Sequence, residues 1–193
     1  MAADEIEAKI RVTDPEAFRR RLAAGGLEAG QTVFEVNRLF DDADGRLHAG
    51  KSALRVREEF REVGGALHRT RLTYKGPVVE GPFKRRPEVE LDVQAAGPLV
   101  AIFSALGFRE TFRYEKRRTT FVGGACEVVL DEVPHLGFFA EIEGPTEDAV
   151  RSELERLGLA GEPIIRRGYV GLLTSHLKDA GRNPARAVFD EGG

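Results

Sequence analysis

Polar and apolar residues alternate along many short segments of the chain, and this period of two predicts β-strands. The first such segment covers residues 5–12, where Ile6 and Ala8 share one face and charged residues occupy the other. The same alternation predicts further strands at residues 32–40, 53–62, 66–75, 87–93, 112–122, 126–133 and 138–143. Glycine pairs at 64–65 and 123–124 separate consecutive strands, as in tight hairpins. The pattern therefore predicts a largely antiparallel sheet.

Helices are predicted between the strands. Asp14-Pro15, an acceptor cap followed by proline, begins the first helix, and Gly25-Gly26 ends it. Others are predicted at residues 98–106, 146–158 and 169–178. About eight strands with few long connections favour a closed barrel over an open sheet. We predict one α+β domain at residues 1–176, a closed antiparallel eight-stranded β-barrel with flanking helices, followed by a polar tail without regular structure at residues 177–193.

Like charges recur two residues apart on several predicted strands, and side chains at that spacing point to the same side. The acidic pairs are Glu5 and Glu7, Glu88 and Glu90, and Glu141 and Glu143. The basic sets are Arg55 and Arg57, then Arg69, Arg71 and Lys75, then Lys116 and Arg118. On any single strand this pattern favours a solvated outer face. Its repetition weakens that interpretation, because neighbouring like charges on one surface repel.

The alternative is that these side chains line the interior of the barrel. Charges there must meet water, each other or bound ions, because an unpaired buried ion is costly. Pairs of carboxylates suit Mg²⁺ or Mn²⁺, which take oxygen ligands, and Arg and Lys suit phosphate oxygens. Acids on one wall and bases on the other are typical of a site for a polyphosphate with a divalent metal.

The composition narrows the class of protein. The 193 residues include 29 basic and 32 acidic ones with a net charge of −3, which disfavours a nucleic-acid-binding domain. The single cysteine, Cys126, excludes an intramolecular disulfide and favours a reducing compartment. No apolar run approaches the ~20 residues of a membrane span, and no signal peptide is evident. We expect a soluble cytoplasmic protein that binds neither nucleic acid nor membrane; a homodimer is one oligomeric state that the sequence leaves open.

A series of motifs in order along the chain resembles the CYTH superfamily, the triphosphate tunnel metalloenzymes. The series begins with Glu5-Ile6-Glu7-Ala8-Lys9, which resembles the family's N-terminal E-x-E-x-K signature. It continues through Leu54-Arg55-Val56-Arg57, Thr73-Tyr74-Lys75-Gly76-Pro77, Arg86-Pro87-Glu88-Val89-Glu90, Tyr114-Glu115-Lys116-Arg117-Arg118, Leu130-Asp131, Leu136-Gly137-Phe138-Phe139-Ala140-Glu141-Ile142-Glu143 and Gly168-Tyr169-Val170. E-x-E-x-K alone is weakly specific, but the whole series in order is a strong indication. The Tyr-Lys-Gly-Pro and Leu-Gly-Phe-Phe-Ala-Glu-Ile-Glu stretches look most like the class IV adenylyl cyclase branch.

The resemblance implies a tunnel of eight antiparallel strands that acts on a triphosphate with Mg²⁺ or Mn²⁺. It implies one metal held by Glu5, Glu7 and Glu143 and another by Glu90 and Glu141, with Glu88 and Asp131 as nearby ligands or supporting groups. It implies a triphosphate held by Lys9, Arg55, Arg57, Lys75, Arg86, Lys116 and Arg118, with Arg38 and Arg113 as weaker candidates. Glu5, Glu7, Lys9 and Lys75 are the residues to which it assigns catalytic roles.

Three functions remain open at this point. The branch resemblance favours conversion of ATP to cyclic AMP and pyrophosphate. A triphosphatase acting on thiamine triphosphate, a nucleoside triphosphate or inorganic tripolyphosphate would use the same cradle. A non-catalytic module that binds nucleotide or polyphosphate is the third, disfavoured because simple anion binding does not need so many carboxylates beside the bases.

Overall fold

The computed structural model describes residues 3–61 and 63–190, with side chains described from residue 6 onward. The long strands are β1 (Ala3–Val12), β2 (Glu28–Asp41), β3 (Ala53–Phe60), β4 (Leu67–Lys75), β5 (Lys84–Val93), β6 (Arg109–Val122), β7 (Glu127–Val133) and β8 (Gly137–Gly144). The helices are α1 (Pro15–Ala24), α2 (Arg46–Ala49), α3 (Ala96–Ala105), α4 (Glu147–Arg156) and α5 (Tyr169–Asp179). A two-residue strand, β9 (Arg186–Ala187), follows α5.

The long strands close into a barrel. Their order is β2-β3-β4-β5-β1-β8-β7-β6, and β6 pairs back with β2. Neighbouring strands around the ring are antiparallel. Closure pairs both edges of the sheet and gives the strands an inner and an outer face. The structure therefore confirms the closed antiparallel eight-stranded barrel with flanking helices.

The apolar faces of the strands point outward, where helices cover them. Ala8 of β1 and Ile142 of β8 are fully buried against Leu22 of α1 and Val150 of α4, in the largest apolar core. A smaller core forms where Phe103 of α3 packs on the outside of β2 and β3. Most of the hydrophobic stabilisation of this fold therefore lies outside the barrel, between sheet and helices.

Local signals begin two of these helices where the sequence predicts. The Asp14 side chain accepts a hydrogen bond from the backbone N–H of Ala17 at 2.9 Å, with Pro15 at the first helical position. Thr146 accepts from the N–H of Ala149 at 3.1 Å and begins α4 in the same way. Among the described residues, no helix combines the length and apolarity needed to cross a membrane.

Helix α5 packs across one end of the barrel. The inward-facing Phe112, Val133 and Phe139 lie at that end and form an apolar cluster with Tyr169 and Leu173 of α5. We call this the closed end. At the opposite end, which we call the open end, Asp92 of β5 and Glu143 of β8 are exposed. The barrel interior is therefore screened by α5 at one end and reaches solvent at the other.

The chain after α5 is more ordered than the sequence predicts, since no regular structure was expected there. Strand β9 pairs in parallel with β6, and its Ala187 is fully buried against the apolar cluster of the closed end. The N–H of Phe189 donates to Glu115 Oε2 at 2.9 Å, and its ring lies 6.3 Å from that of Phe34. The prediction was wrong because β6 extends beyond its pairing with β7 and offers an edge there. Two apolar residues in a polar segment were enough to dock it.

Candidate functional site

The charged faces of the strands point into the barrel. The strands that carry the Glu-x-Glu pairs, β5, β1 and β8, are consecutive in the sheet. The basic sets come from the rest of the ring, on β6, β3 and β4, of which β4 is next to β5. Burial decides between the surface and interior interpretations, because Lys9 is only 2% exposed and Lys116 only 1%. Side chains on a solvated outer face would not be so deeply covered. Acids and bases therefore share one interior.

Asp131 is the centre of a buried network near the closed end. Its carboxylate accepts hydrogen bonds from Arg118 at 2.7 and 2.6 Å, from Lys116 at 3.0 Å and from the Tyr169 hydroxyl at 2.8 Å. Burial alone would lower the pKa of Arg118, but Asp131 and Glu141 hold that pKa well above its usual value. The arrangement fixes the direction in which the two bases point.

Glu35 on β2 is a second buried anion, and the sequence analysis did not identify it. Its Oε1 lies 3.1 Å from Arg57 and its Oε2 lies 3.5 Å from Lys116. Burial would raise the pKa of Glu35, but Arg57, Lys116 and Arg118 outweigh burial and lower the pKa to about 2. Glu35 Oε1 has no aligned hydrogen-bond donor among the described residues. The Glu35 carboxylate thus attracts Arg57, Lys116 and Arg118 electrostatically, although one of its oxygens accepts no hydrogen bond from the described residues.

Lys9 and Glu7 occupy the inner face of β1. Lys9 Nζ lies 3.1 Å from Glu141 and 3.4 Å from Glu7. Burial would lower the pKa of Lys9, but Glu141 and Glu7 raise it above the usual 10.5. Lys84 of β5, directly across from Glu7 in the strand register, donates to Glu7 Oε1 at 2.7 Å. Glu7 therefore lies between two ammonium groups.

A third group of inward side chains lies on β3, β4 and β5. Arg55 donates to Thr73 at 3.1 Å and to Glu90 at 3.3 Å, and Thr73 donates to Glu90 at 2.6 Å. Arg71 reaches the other Glu90 oxygen at 3.0 Å. Among the described residues, no acceptor pairs with the buried Nε of Arg55. This donor suits a further anionic oxygen.

Lys75 and Arg86 lie where β4 connects to β5. Lys75 Nζ lies 2.6 Å from Glu88 Oε2. Arg86 donates to the backbone carbonyls of Lys75 at 3.1 Å and Gly76 at 2.9 Å. The guanidinium of Arg86 therefore also braces this connection.

Some predicted residues lie away from this interior. Arg38 and Arg113 flank Glu110, each at 2.7 Å, on the outer face of β2 and β6. Arg38 and Arg113 point to the side of the strands opposite to Glu35, away from the interior, so the weaker prediction that they bind the triphosphate is wrong.

Glu5 lies on β1 across from Arg86, but its side chain lies outside the described residues. Its role stays a prediction.

The carboxylates at the open end are ligands of the type that divalent cations take, and the strand register places several of them opposite each other. Glu7 of β1 and Glu143 of β8 are direct cross-strand neighbours, and Glu127 of β7 is in turn opposite Glu143. Like charges placed directly opposite each other destabilise a sheet unless a cation lies near them. Within the described side chains, no three potential ligands lie close enough to hold one ion. One of these open-end carboxylates, Glu7, has its charge neutralised by Lys84 and Lys9 in this structure.

Sequence reasoning missed several members of the network. Glu35 has no second acid two residues away on its strand, so the pattern of like charges at that spacing does not include it. The signal was present as polar residues of one phase, Glu35, Asn37 and Asp41, within an apolar strand. Lys84 shares the phase of Arg86 and Glu88 but precedes the predicted start of β5.

Comparison with known proteins gives one family match and several similar structures. The CYTH domain model matches residues 3–169. A protein of Methanocaldococcus jannaschii named "Putative adenylate cyclase MJ0240" is 27% identical over 177 residues, which cover 87% of this chain and 97% of that protein.

Among solved structures, the PH1819 protein of Pyrococcus horikoshii is 24% identical with a TM-score of 0.74, covering 89% of this chain and 98% of that one. HpAC1 of Hippeastrum, which carries an adenylyl cyclase name and is described with a dominant triphosphatase activity, is 19% identical with a TM-score of 0.63. The alignment covers 93% of this chain and 97% of HpAC1. At these identities the structures support the fold.

The buried charge of Glu35 predicts a specific dependence of stability on pH. Because the folded-state pKa of about 2 lies below the usual 4.5, ionised Glu35 contributes stability above pH 4.5 that is lost as the pH falls toward 2. Replacing Glu35 by Gln should therefore lower the free energy of unfolding at pH 7 by on the order of 3 kcal/mol. Urea denaturation at a series of pH values should show this difference shrinking below pH 4.5. The exposed Glu28→Gln is the matched control, and a constant difference at Glu35 across the series would refute the assignment.

Proposed function

The chain belongs to the CYTH family, and on that premise we propose that it is a divalent-metal-dependent enzyme that acts on a triphosphate bound inside the barrel. The family comprises adenylyl cyclase-like and triphosphatase enzymes that act on small triphosphates. The proposed reaction is the conversion of ATP to cyclic AMP and pyrophosphate. The motifs of the class IV adenylyl cyclase branch and the adenylate cyclase name of the archaeal relative support this choice.

One observation carries the proposal: cationic side chains from five strands converge in a single buried interior. They are Lys9 on β1, Arg55 and Arg57 on β3, Arg71 on β4, Lys84 on β5, and Lys116 and Arg118 on β6. Their present partners are carboxylates, which are the anions that phosphate oxygens can replace in the same charge-assisted bonds. A triphosphate entering here would find its donors already oriented.

The side chains of the chain itself would bind and orient the substrate. Arg57, Lys116 and Arg118 lie around Glu35 near the closed end, and we propose that they would hold phosphoryl oxygens there. Arg55, whose buried Nε meets no acceptor among the described residues, would hold a further one. Phosphoryl and nucleotidyl transfer depend mainly on such positioning and charge stabilisation, so no side-chain nucleophile is required.

A divalent cation is the remaining part of the proposed site. Glu5, Glu7 and Glu143 would hold one Mg²⁺ or Mn²⁺. A second ion at Glu90 and Glu141 stays a prediction, because in this structure Glu90 pairs with Arg55 and Arg71 while Glu141 pairs with Lys9 and Arg118. When bound, the cation neutralises phosphate charge and lowers the pKa of the attacking hydroxyl or water. Lys84, which donates to Glu7 in this structure, would bind a phosphate oxygen when Glu7 serves as a metal ligand.

The two candidate reactions share this cradle and differ in the phosphorus that is attacked. In the cyclase the ribose 3′-hydroxyl attacks the α-phosphorus, its proton is lost and pyrophosphate leaves. In a triphosphatase water attacks the γ-phosphorus, the bond to the β-γ bridging oxygen breaks, and orthophosphate and the remaining diphosphate are released. The activity described for HpAC1 makes the triphosphatase the second candidate.

Product analysis tests the proposal. The protein is incubated with ATP, thiamine triphosphate and inorganic tripolyphosphate, each with Mg²⁺ or Mn²⁺ and each with chelator. We expect cyclic AMP and pyrophosphate from ATP, in amounts that require the metal. Release of orthophosphate instead would select the triphosphatase. Binding of these compounds without any turnover would refute the enzymatic proposal and favour a non-catalytic module.

Replacing Glu7 by Gln tests the metal assignment. The substitution keeps the size of the side chain and removes the charge that would bind the cation. We expect turnover to fall by at least about 100-fold, since even indirect partners of metal ligands contribute 10–100-fold. Glu132→Gln is the matched control, because Glu132 pairs with Arg117 away from the network. Full activity in a folded Glu7→Gln protein, judged by circular dichroism and turnover, would contradict the assignment.

A further inference from the structure

Tyr169 contacts the cationic interior through both its hydroxyl and its ring, although it belongs to α5 and not to the barrel. Its hydroxyl donates to Asp131 Oδ2 at 2.8 Å, and the same carboxylate orients Lys116 and Arg118. Burial, together with the charges of Asp131 and Glu141, raises the pKa of Tyr169 well above its usual value. The phenol therefore stays protonated and acts as a donor.

The ring of Tyr169 contacts the ammonium groups directly. Lys9 Nζ lies 4.2 Å from the ring centroid and Lys116 Nζ lies 5.4 Å from it, both within the range of a cation–π interaction. Phe139 packs edge-on against the ring with centroids 5.5 Å apart. The ring is thus held in one orientation, and it restricts where two lysines can point.

The segment that leads into α5 is bonded to the same lysine. The N–H of Ile165 donates to the backbone carbonyl of Lys9 at 2.7 Å, and Lys9 Nζ lies 3.5 Å from the carbonyl of Arg167. Lys9 is therefore contacted by the chain before α5 and by the first residue of α5. The position of this helix and the position of that ammonium group are physically linked.

We propose that Tyr169 is a positioning residue for the phosphate site: it holds Lys9 through its ring, and Lys116 and Arg118 through Asp131, in the arrangement that receives the substrate. This inference rests on the proposed function, because it assumes that these cations bind phosphate. It makes α5 part of the anion site as well as a cover for the closed end. The competing explanation is that Tyr169 only fills space in the apolar cluster with Leu173.

Two substitutions separate these explanations. Tyr169→Phe keeps the ring and its packing but removes the hydrogen bond to Asp131. Tyr169→Leu keeps an apolar side chain but removes both the hydrogen bond and the cation–π contacts. Tyr74→Phe is the matched control, since Tyr74 lies on the outer face of β4 with its hydroxyl toward Ser52.

The measurement is the affinity for inorganic tripolyphosphate by titration calorimetry with chelator present, so that neither metal nor turnover enters. We expect Tyr169→Phe to weaken binding by about 3–10-fold and Tyr169→Leu by about 10–100-fold. Tyr74→Phe should bind like the unmodified protein. Urea denaturation of each variant establishes that the titrations are done on folded protein.

The outcomes are distinct. If both variants are folded and the affinity falls in Tyr169→Phe and falls further in Tyr169→Leu, the proposal is supported. Equal affinity of folded Tyr169→Leu and the unmodified protein would overturn it, even if Tyr169→Leu is less stable, because packing would then be its whole role. No binding by the unmodified protein would overturn this inference, because these cations would then not hold the phosphate by themselves, while turnover in the product analysis with metal would leave the proposed function standing. Binding that ignores Tyr169 would likewise overturn this inference alone.

Discussion

Charge neutralisation in a closed space is the constraint on which this structure depends. Closing the sheet turns one face of every strand away from solvent, so each charged side chain there needs an opposite charge within a few ångströms. Lys116 shows how this is met, since it lies between Glu35 and Asp131 with 1% of its surface exposed. A phosphate can replace a carboxylate in such a network without leaving the cations unpaired. The same bonds that stabilise the ligand-free barrel thus prepare it for a polyanion.

This use of the interior moves the apolar core to the outside of the barrel. Helices α1, α3 and α4 cover the outer faces of the strands, and only at the closed end does apolar packing enter the barrel, where α5 meets Phe112 and Phe139. The helices therefore supply hydrophobic stabilisation that offsets the cost of a charged interior. The closed end also limits solvent near Asp131, which strengthens the electrostatic interactions there.

Periodicity predicted most of the fold, because alternation in the strands and caps such as Asp14 are local signals. It also predicted many of the charges that share the interior, since side chains two apart face the same way, but not Glu35 or Lys84. It could not predict which acid meets which base: the bond from Lys84 to Glu7 depends on the register of two strands distant in sequence. The docking of Ala187 was missed because it depends on an edge of β6 that exists only after folding.

The central claim is that a triphosphate takes the place of carboxylates in the interior network. A crystal structure with inorganic tripolyphosphate and Mn²⁺, with the metal located by its anomalous signal, tests this most directly. The account predicts phosphate oxygens within hydrogen-bonding distance of Arg57, Lys116 and Arg118, and manganese beside Glu7. Tripolyphosphate bound only on the outer surface, with the bonds of Glu35 and Asp131 unchanged, would contradict it.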